Sequence, residues 1–187
     1  MKKNNLKRII LIIGLILIVV ALYLIISYNL KSNKAEKKSK EIYSQLIYVM
    51  EQNKEGEQEN TQIDGNDYLG AIQIQALNLE LPVMNDWNYN KLEIAPCRYK
   101  GSLDNNDLII CAHNYKGHFG QIENLNFGDI ILIKNMSGEV FKFKVEEKER
   151  INYKDIEQMN SGDWDLTLFT CDMSARGRIA VRCVEIP

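Results

Sequence analysis

Eighteen uncharged residues in a row, Ile9 to Ile26 (IILIIGLILIVVALYLII), constrain this chain more than any other feature. A helix rises about 1.5 Å per residue, so the run nearly reaches across a hydrocarbon core of roughly 30 Å. Lys2, Lys3, Lys7 and Arg8 precede it, and Tyr23 and Tyr28 sit near its far end, where aromatic side chains favour the membrane interface. The run is too long for the apolar region of a cleaved signal peptide, and no small-x-small site follows in SYNLKSNKAEKK. The expectation is a retained signal anchor, with residues 1–30 as tail and transmembrane helix. Lys31, Lys34, Lys37, Lys38 and Lys40 lie just beyond the span, so the balance of basic residues does not orient it.

After the anchor, Ile42, Leu46 and Val49 fall at helical spacing among Lys and Glu, which predicts a short amphipathic helix at or near the membrane surface. Asn53 to Asp67 (NKEGEQENTQIDGND) is almost without apolar residues and reads as a flexible linker. Residues 31–67 are therefore expected to separate the anchor from a folded domain over 68–187.

From Tyr68 the period changes to two. Ile72 and Ile74 alternate with glutamines. Leu77, Leu79, Leu81 and Val83 alternate likewise, and Phe141, Phe143 and Val145 alternate with lysines. DLIICAH (107–113) is a continuous apolar run, as in a strand buried on both faces, and DIILIKN (129–135), DLTLFTC (165–171) and RIAVRCVEI (178–186) complete the set. About seven short strands with turn signals between them predict an all-β barrel or sandwich. Short helical turns are expected around Asn88–Ile94, Phe119–Leu125 and Asp155–Met159.

The net charge of −2 gives no footprint for a nucleic-acid partner. Four cysteines in 187 residues do not make a disulfide framework. Cys97, Cys111 and Cys183 are open to pairing outside the cell, but sequence does not pair them. Cys111, His113, His118, Cys97 and Cys183 lack metal-ligand spacing, so no metal is expected. Glu146, Glu147 and Glu149 read as a solvated charge run rather than a calcium site.

Three residues stand where rigid strands meet polar loops, a common position for chemistry. His113 closes the apolar strand and precedes NYKGHFG. Cys171 closes LTLFTC and precedes DMSARG. Arg178 opens the last strand. Each has an ordinary explanation taken alone: a strand-end histidine bonded to a carbonyl, a small buried hydrophobe, and an edge charge. Taken together they suit cysteine acyl transfer, in which a thiolate attacks, an imidazole protonates the leaving amine and a guanidinium steadies thiolate or oxyanion. His118 competes with His113, and Arg176 and Arg182 compete with Arg178.

The order AHN, LTLFTC and RIAV, behind an N-terminal anchor, resembles the sortase family, whose final strands carry Thr-Leu-x-Thr-Cys and then an arginine. The resemblance spans roughly Tyr68 to Glu185. It implies an all-β, sortase-like β-barrel with short helices, preceded by an N-terminal transmembrane helix. It implies Cys171 as nucleophile, His113 as general acid/base, Arg178 as the group holding substrate backbone or oxyanion, and Thr170 as a substrate contact. The implied reaction cleaves a sorting-signal peptide of a secreted protein through a thioester and passes the product to an amine acceptor on a cell-wall precursor or pilin. No cofactor is needed. The localisation implied is a single-pass cell-membrane protein with its catalytic domain extracytoplasmic. Rival readings are a hydrolytic cysteine peptidase and a non-catalytic surface β-domain. Ala112 stands where the family often has Gly, no Asp-Pro heads an aromatic lid, and Asn152–Trp164 is short, so the subgroup is not assigned.

Overall fold

In the computed structural model of the chain the described residues are 2–52, 62–172 and 176–187. They divide into two units, Met1–Lys34 and Ala35–Pro187. The first helix, α1 (Lys2–Gln52), contributes to both. Within the first unit the large apolar side chains from Ile9 to Ile26 are all exposed. Among the described residues this is one helix long and apolar enough to cross a membrane.

The second unit is a mixed β-barrel. Its strands are β1 (Gln62–Ile63), β2 (Asn66–Ile74), β3 (Leu79–Met84), β4 (Cys97–Lys100), β5 (Leu108–Cys111), β6 (Ile130–Asn135), β7 (Val140–Asn152), β8 (Leu166–Cys171) and β9 (Gly177–Glu185). Among the described residues the order is β2-β3-β4-β5-β8-β9-β7-β6, and β6 pairs back onto β2, closing these eight strands on themselves. The small β1 adds a hairpin to β2. Two pairs are parallel, β3–β4 and β5–β8.

The alternation seen in sequence sorts the strands into two apolar layers. Ile72, Ile74, Leu108, Ile110, Leu166, Leu168, Val181 and Cys183 fill the barrel interior, with Phe119 and Ile122 among them. Their neighbours Ile109, Cys111, Phe169 and Ala180 face outward into a second layer. That layer holds the main departure from the sequence reading. Ile42, Leu46 and Met50 of α1 pack into it with Tyr68, Ala71 and Met84. The segment expected at the membrane surface is thus part of the folded domain. Its buried face runs through Ala35, Ser39, Ile42, Leu46 and Met50, while Val49 is only half-buried. Burial of each large side chain contributes about 2 kcal/mol, which a solvated amphipathic helix forgoes.

The expected linker is corrected at its end as well. Residues 62–67 form β1, a turn and the start of β2, because Ile63 finds a buried site in the same layer. The rest of that expectation, residues 53–61, lies outside the described residues. β4 was not expected from sequence: it is four residues long, polar at Arg98 and Lys100, and broken by a bulge against β5.

Short helices fall where turns were expected. In α2 (Tyr89–Leu92) the Asn88 side chain accepts from the Lys91 backbone N–H at 2.9 Å, and in α3 (Ile156–Met159) Asp155 accepts from Gln158 at 2.9 Å, both N-caps. A 3-10 turn covers Ile122–Asn124.

Candidate active site

The parallel pair β5–β8 sets the geometry. Its register runs from Leu108 opposite Leu166 to Cys111 opposite Phe169. Past the end of β5 the Ala112 N–H still donates to the Phe169 carbonyl at 3.2 Å. The Thr170 hydroxyl donates to the Ala112 carbonyl at 2.8 Å. These bonds carry the two chains forward in step, so His113 leaves the sheet level with Cys171. On the other side, antiparallel β9 sets Arg178 directly opposite Cys171. Pleating turns Ile109, Cys111 and His113, Phe169 and Cys171, and Arg178 and Ala180 to the same outer face of the barrel.

Cys171 is the exposed cysteine; the other three are buried. Burial pushes the Cys111 thiol up to about 12 and drives Cys97 and Cys183 upward as well. Cys97 and Cys111 are cross-strand partners on β4 and β5 and are free thiols, as is Cys183. Among the described residues no three His, Cys, Asp or Glu side chains gather as a metal site.

Arg178 is held from two sides. Its guanidinium donates to the Tyr153 carbonyl at 2.5 Å, and its central carbon lies 5.8 Å from the centre of the Phe169 ring, within cation–π range. The turn between Cys171 and Arg178 is pinned at its base. The Asp172 N–H donates to the Gly177 carbonyl at 2.9 Å, and the Arg176 N–H donates to the Asp172 carboxylate at 3.2 Å. Arg176 therefore belongs to the turn. Arg182 is almost fully buried and serves the fold instead, bonding Glu149 at 2.7 Å, the Thr167 hydroxyl at 2.9 Å and the carbonyls of Gln158 and Met159.

His113 is partly exposed, and its carbonyl accepts from Phe119, which closes the following loop. Its Nε2 lies 3.7 Å from a Glu93 carboxylate oxygen, and its ring stands 4.9 Å from that of Tyr115. His118 is fully buried beneath Tyr115, and its pKa falls to about 4, chiefly through burial and then through His113. Thr170 is buried, and its hydroxyl is engaged by Ala112 rather than turned to the outer face. Glu93, Tyr115 and Phe169 were not singled out in the sequence. Only Phe169 carried a signal, being the variable residue inside LTLFTC.

A closed mixed barrel that gathers an exposed thiol, an imidazole and a clamped guanidinium at one end of its central strands has the build of a cysteine acyl-transfer enzyme. The family model for the sortase domain matches residues 72–186, more than half of the chain. The chain belongs to the sortase family of cysteine transpeptidases, which act on sorting signals. No curated protein matches it. Among solved structures it is similar to sortase C from Clostridium perfringens SM101, with 23% identity, a TM-score of 0.58, and coverage of 85% of this chain and 99% of that one. It is also similar to a Clostridium perfringens sortase D5 transpeptidase, with 20% identity, a TM-score of 0.61, and coverage of 82% and 98%. A third, Listeria monocytogenes sortase A, has 17% identity and a TM-score of 0.60, with coverage of 65% and 89%. At these identities the likeness speaks to the fold.

Proposed function

We propose that Cys171 is the nucleophile, His113 the general acid/base and Arg178 the oxyanion or backbone clamp in transfer of a sorting peptide of a secreted protein to an amine. The carrying observation is the register that sets Cys171 opposite Arg178 on β9 while β5 delivers His113 from the other side. The Cys171 thiolate adds to the scissile carbonyl, and Arg178 balances charge on the carbonyl oxygen. The tetrahedral intermediate collapses as His113 gives its proton to the departing amine, leaving a thioester on Cys171. An acceptor amine attacks the thioester, returns a proton to His113 and leaves as a new amide, restoring the thiolate. Thr170 acts by locking the two strands at the level of the reacting groups.

The acceptor in this reading is an amine of a cell-wall precursor or pilin. The helix over Ile9–Ile26 anchors the protein by one pass through the cell membrane, with residues 68–187 outside, where secreted substrates and wall precursors meet. The chemistry requires no cofactor.

The test is mass spectrometry of wild-type protein incubated with a library of sorting peptides. A thioester adduct mapped to Cys171, released as a new amide on addition of amine, supports transpeptidation. Release only as free acid, at every amine tried, supports a peptidase, and absence of any adduct rejects the assignment.

A further inference from the structure

His113 stands two residues beyond the end of β5, so the sheet fixes its backbone but not its ring. The groups that meet the ring come from elsewhere. Glu93 follows α2, some twenty residues earlier in sequence. One of its carboxylate oxygens lies 3.7 Å from His113 Nε2, and the other accepts from the Tyr115 hydroxyl at 3.1 Å. The Tyr115 ring is buried and stands at 41° to the imidazole, 4.9 Å away. One carboxylate therefore spans the catalytic loop, with a phenol steadying its far side.

Both supports are themselves fixed. The Tyr115 carbonyl accepts from His118 at 3.0 Å and from Gly120 at 2.9 Å. Its ring packs on the buried His118 ring at 5.8 Å. Gly120 is required here, because a Cβ would fall 2.4 Å from the Asn114 carbonyl oxygen. On the α2 side, Asn88 caps the helix and Lys91 pairs with Asp86, so Glu93 projects from a braced turn.

We infer that Glu93, held by Tyr115, is the positioning residue for His113. It faces the Nε2 side of the ring. The inference rests on the proposed acid/base role of His113. At 3.7 Å the carboxylate acts through charge and orientation rather than through a full hydrogen bond. A carboxylate beside the ring favours the imidazolium, the form that donates to the leaving amine. Other titratable or charged groups on this side are Cys111 of β5, Cys171 of β8, Arg178 of β9 and His118 in the loop, with Glu36 of α1 acting on His118. Glu93 is an anionic side chain paired with the ring itself.

The experiment compares Glu93→Gln, Glu93→Asp, Tyr115→Phe and the Glu93→Gln/Tyr115→Phe pair with wild type, using a peptide that forms the Cys171 thioester. Glu93→Gln is expected to lower kcat about tenfold or more, part of what a full acid/base contributes, with little change in KM. The alkaline limb of its kcat profile should move to lower pH, since the imidazolium loses its anionic neighbour. Glu93→Asp should restore part of both effects. Tyr115→Phe should give a smaller loss in the same direction and add little in the double variant, because the phenol acts through the carboxylate. Unchanged kcat and pH profile in Glu93→Gln overturn the inference, as does a lost kcat that tracks a fallen Tm without a shifted profile. His113→Ala, run in parallel, keeps the two questions apart. If it is inactive while Glu93→Gln is normal, only the positioning role fails. If it turns over like wild type, the acid/base reading fails first.

Discussion

Cys171 and Arg178 are direct cross-strand partners in the antiparallel β8–β9 pair, with the thiol exposed and the guanidinium tied to the Tyr153 carbonyl. Opposed residues in such a pair have Cβ atoms about 4.5–5.5 Å apart, so the strand ladder itself sets the spacing of thiol and guanidinium. A seven-residue offset in the chain becomes a lateral cross-strand pairing.

Arg178→Ala is expected to lower kcat by the loss of one oxyanion donor, roughly 2.7–4 kcal/mol of transition-state stabilisation, and Arg178→Lys to recover only part. Arg182→Ala should behave differently. It opens a buried network with Glu149, Thr167, Gln158 and Met159, so the expected loss is in stability, about 3 kcal/mol. Urea unfolding beside saturation kinetics separates the two. Equal kinetics for wild type and Arg178→Ala at saturating peptide remove the oxyanion role.

Native labelling with iodoacetamide near neutral pH should modify Cys171 and spare the other cysteines. Burial holds the Cys111 thiolate back to about 12, and Cys97 and Cys183 are shielded in the same way. Cys171→Ala should abolish acyl-enzyme formation and leave the melting curve nearly unchanged, since the side chain is exposed. Labelling of Cys111 at a comparable rate in folded protein contradicts this.

His113→Ala is expected to cut turnover by at least about a hundredfold. His118 should instead appear in stability. Its pKa falls from the ordinary 6.5 to about 4 on folding, so between those values the unfolded chain binds a proton that the folded chain refuses. Its contribution is therefore complete above about pH 6.5 and is lost as pH drops toward 4, at most roughly 3 kcal/mol. Tm measured across pH 5 to 6.5 should slope downward toward acid, and His118→Gln should flatten that slope. A slope unchanged by the substitution assigns it to other groups.

Leu46→Ala tests whether the second half of α1 belongs to the domain. Leu46 is fully buried in the outer layer, so truncation should cost about 2–5 kcal/mol, read as a lower urea midpoint for the catalytic domain. A surface helix resting on lipid predicts no change in a detergent-free preparation beginning at residue 35.

The alternation of Leu166 and Leu168 against Phe169 and Cys171, and of Ile179 and Val181 against Ala180, was open to reading because a strand repeats every two residues whatever lies beside it. The long apolar helix was legible for a similar reason: length and apolarity are local properties of the chain. The α1 face was half legible. Helical spacing showed Ile42 and Leu46, but the surface they meet is built from Tyr68, Met84 and Phe169, which no local pattern connects to them. β4 escaped because four residues interrupted by a bulge give the period too little room.

By itself the sequence determined an apolar N-terminal helix, a barrel-forming set of strands, and the order of His113, Cys171 and Arg178 at strand ends. The tertiary structure decided which of these groups meet. The parallel pairing of β5 with β8 brings two chain segments fifty-eight residues apart into step, through Thr170 and Ala112. Burial separates His118 and Arg182 from His113 and Arg178, and the packing of the α2 turn sets Glu93 against His113. Those outcomes depend on non-local contacts, whose energy is gained only when distant segments fold together, so no single stretch of residues carries their signature.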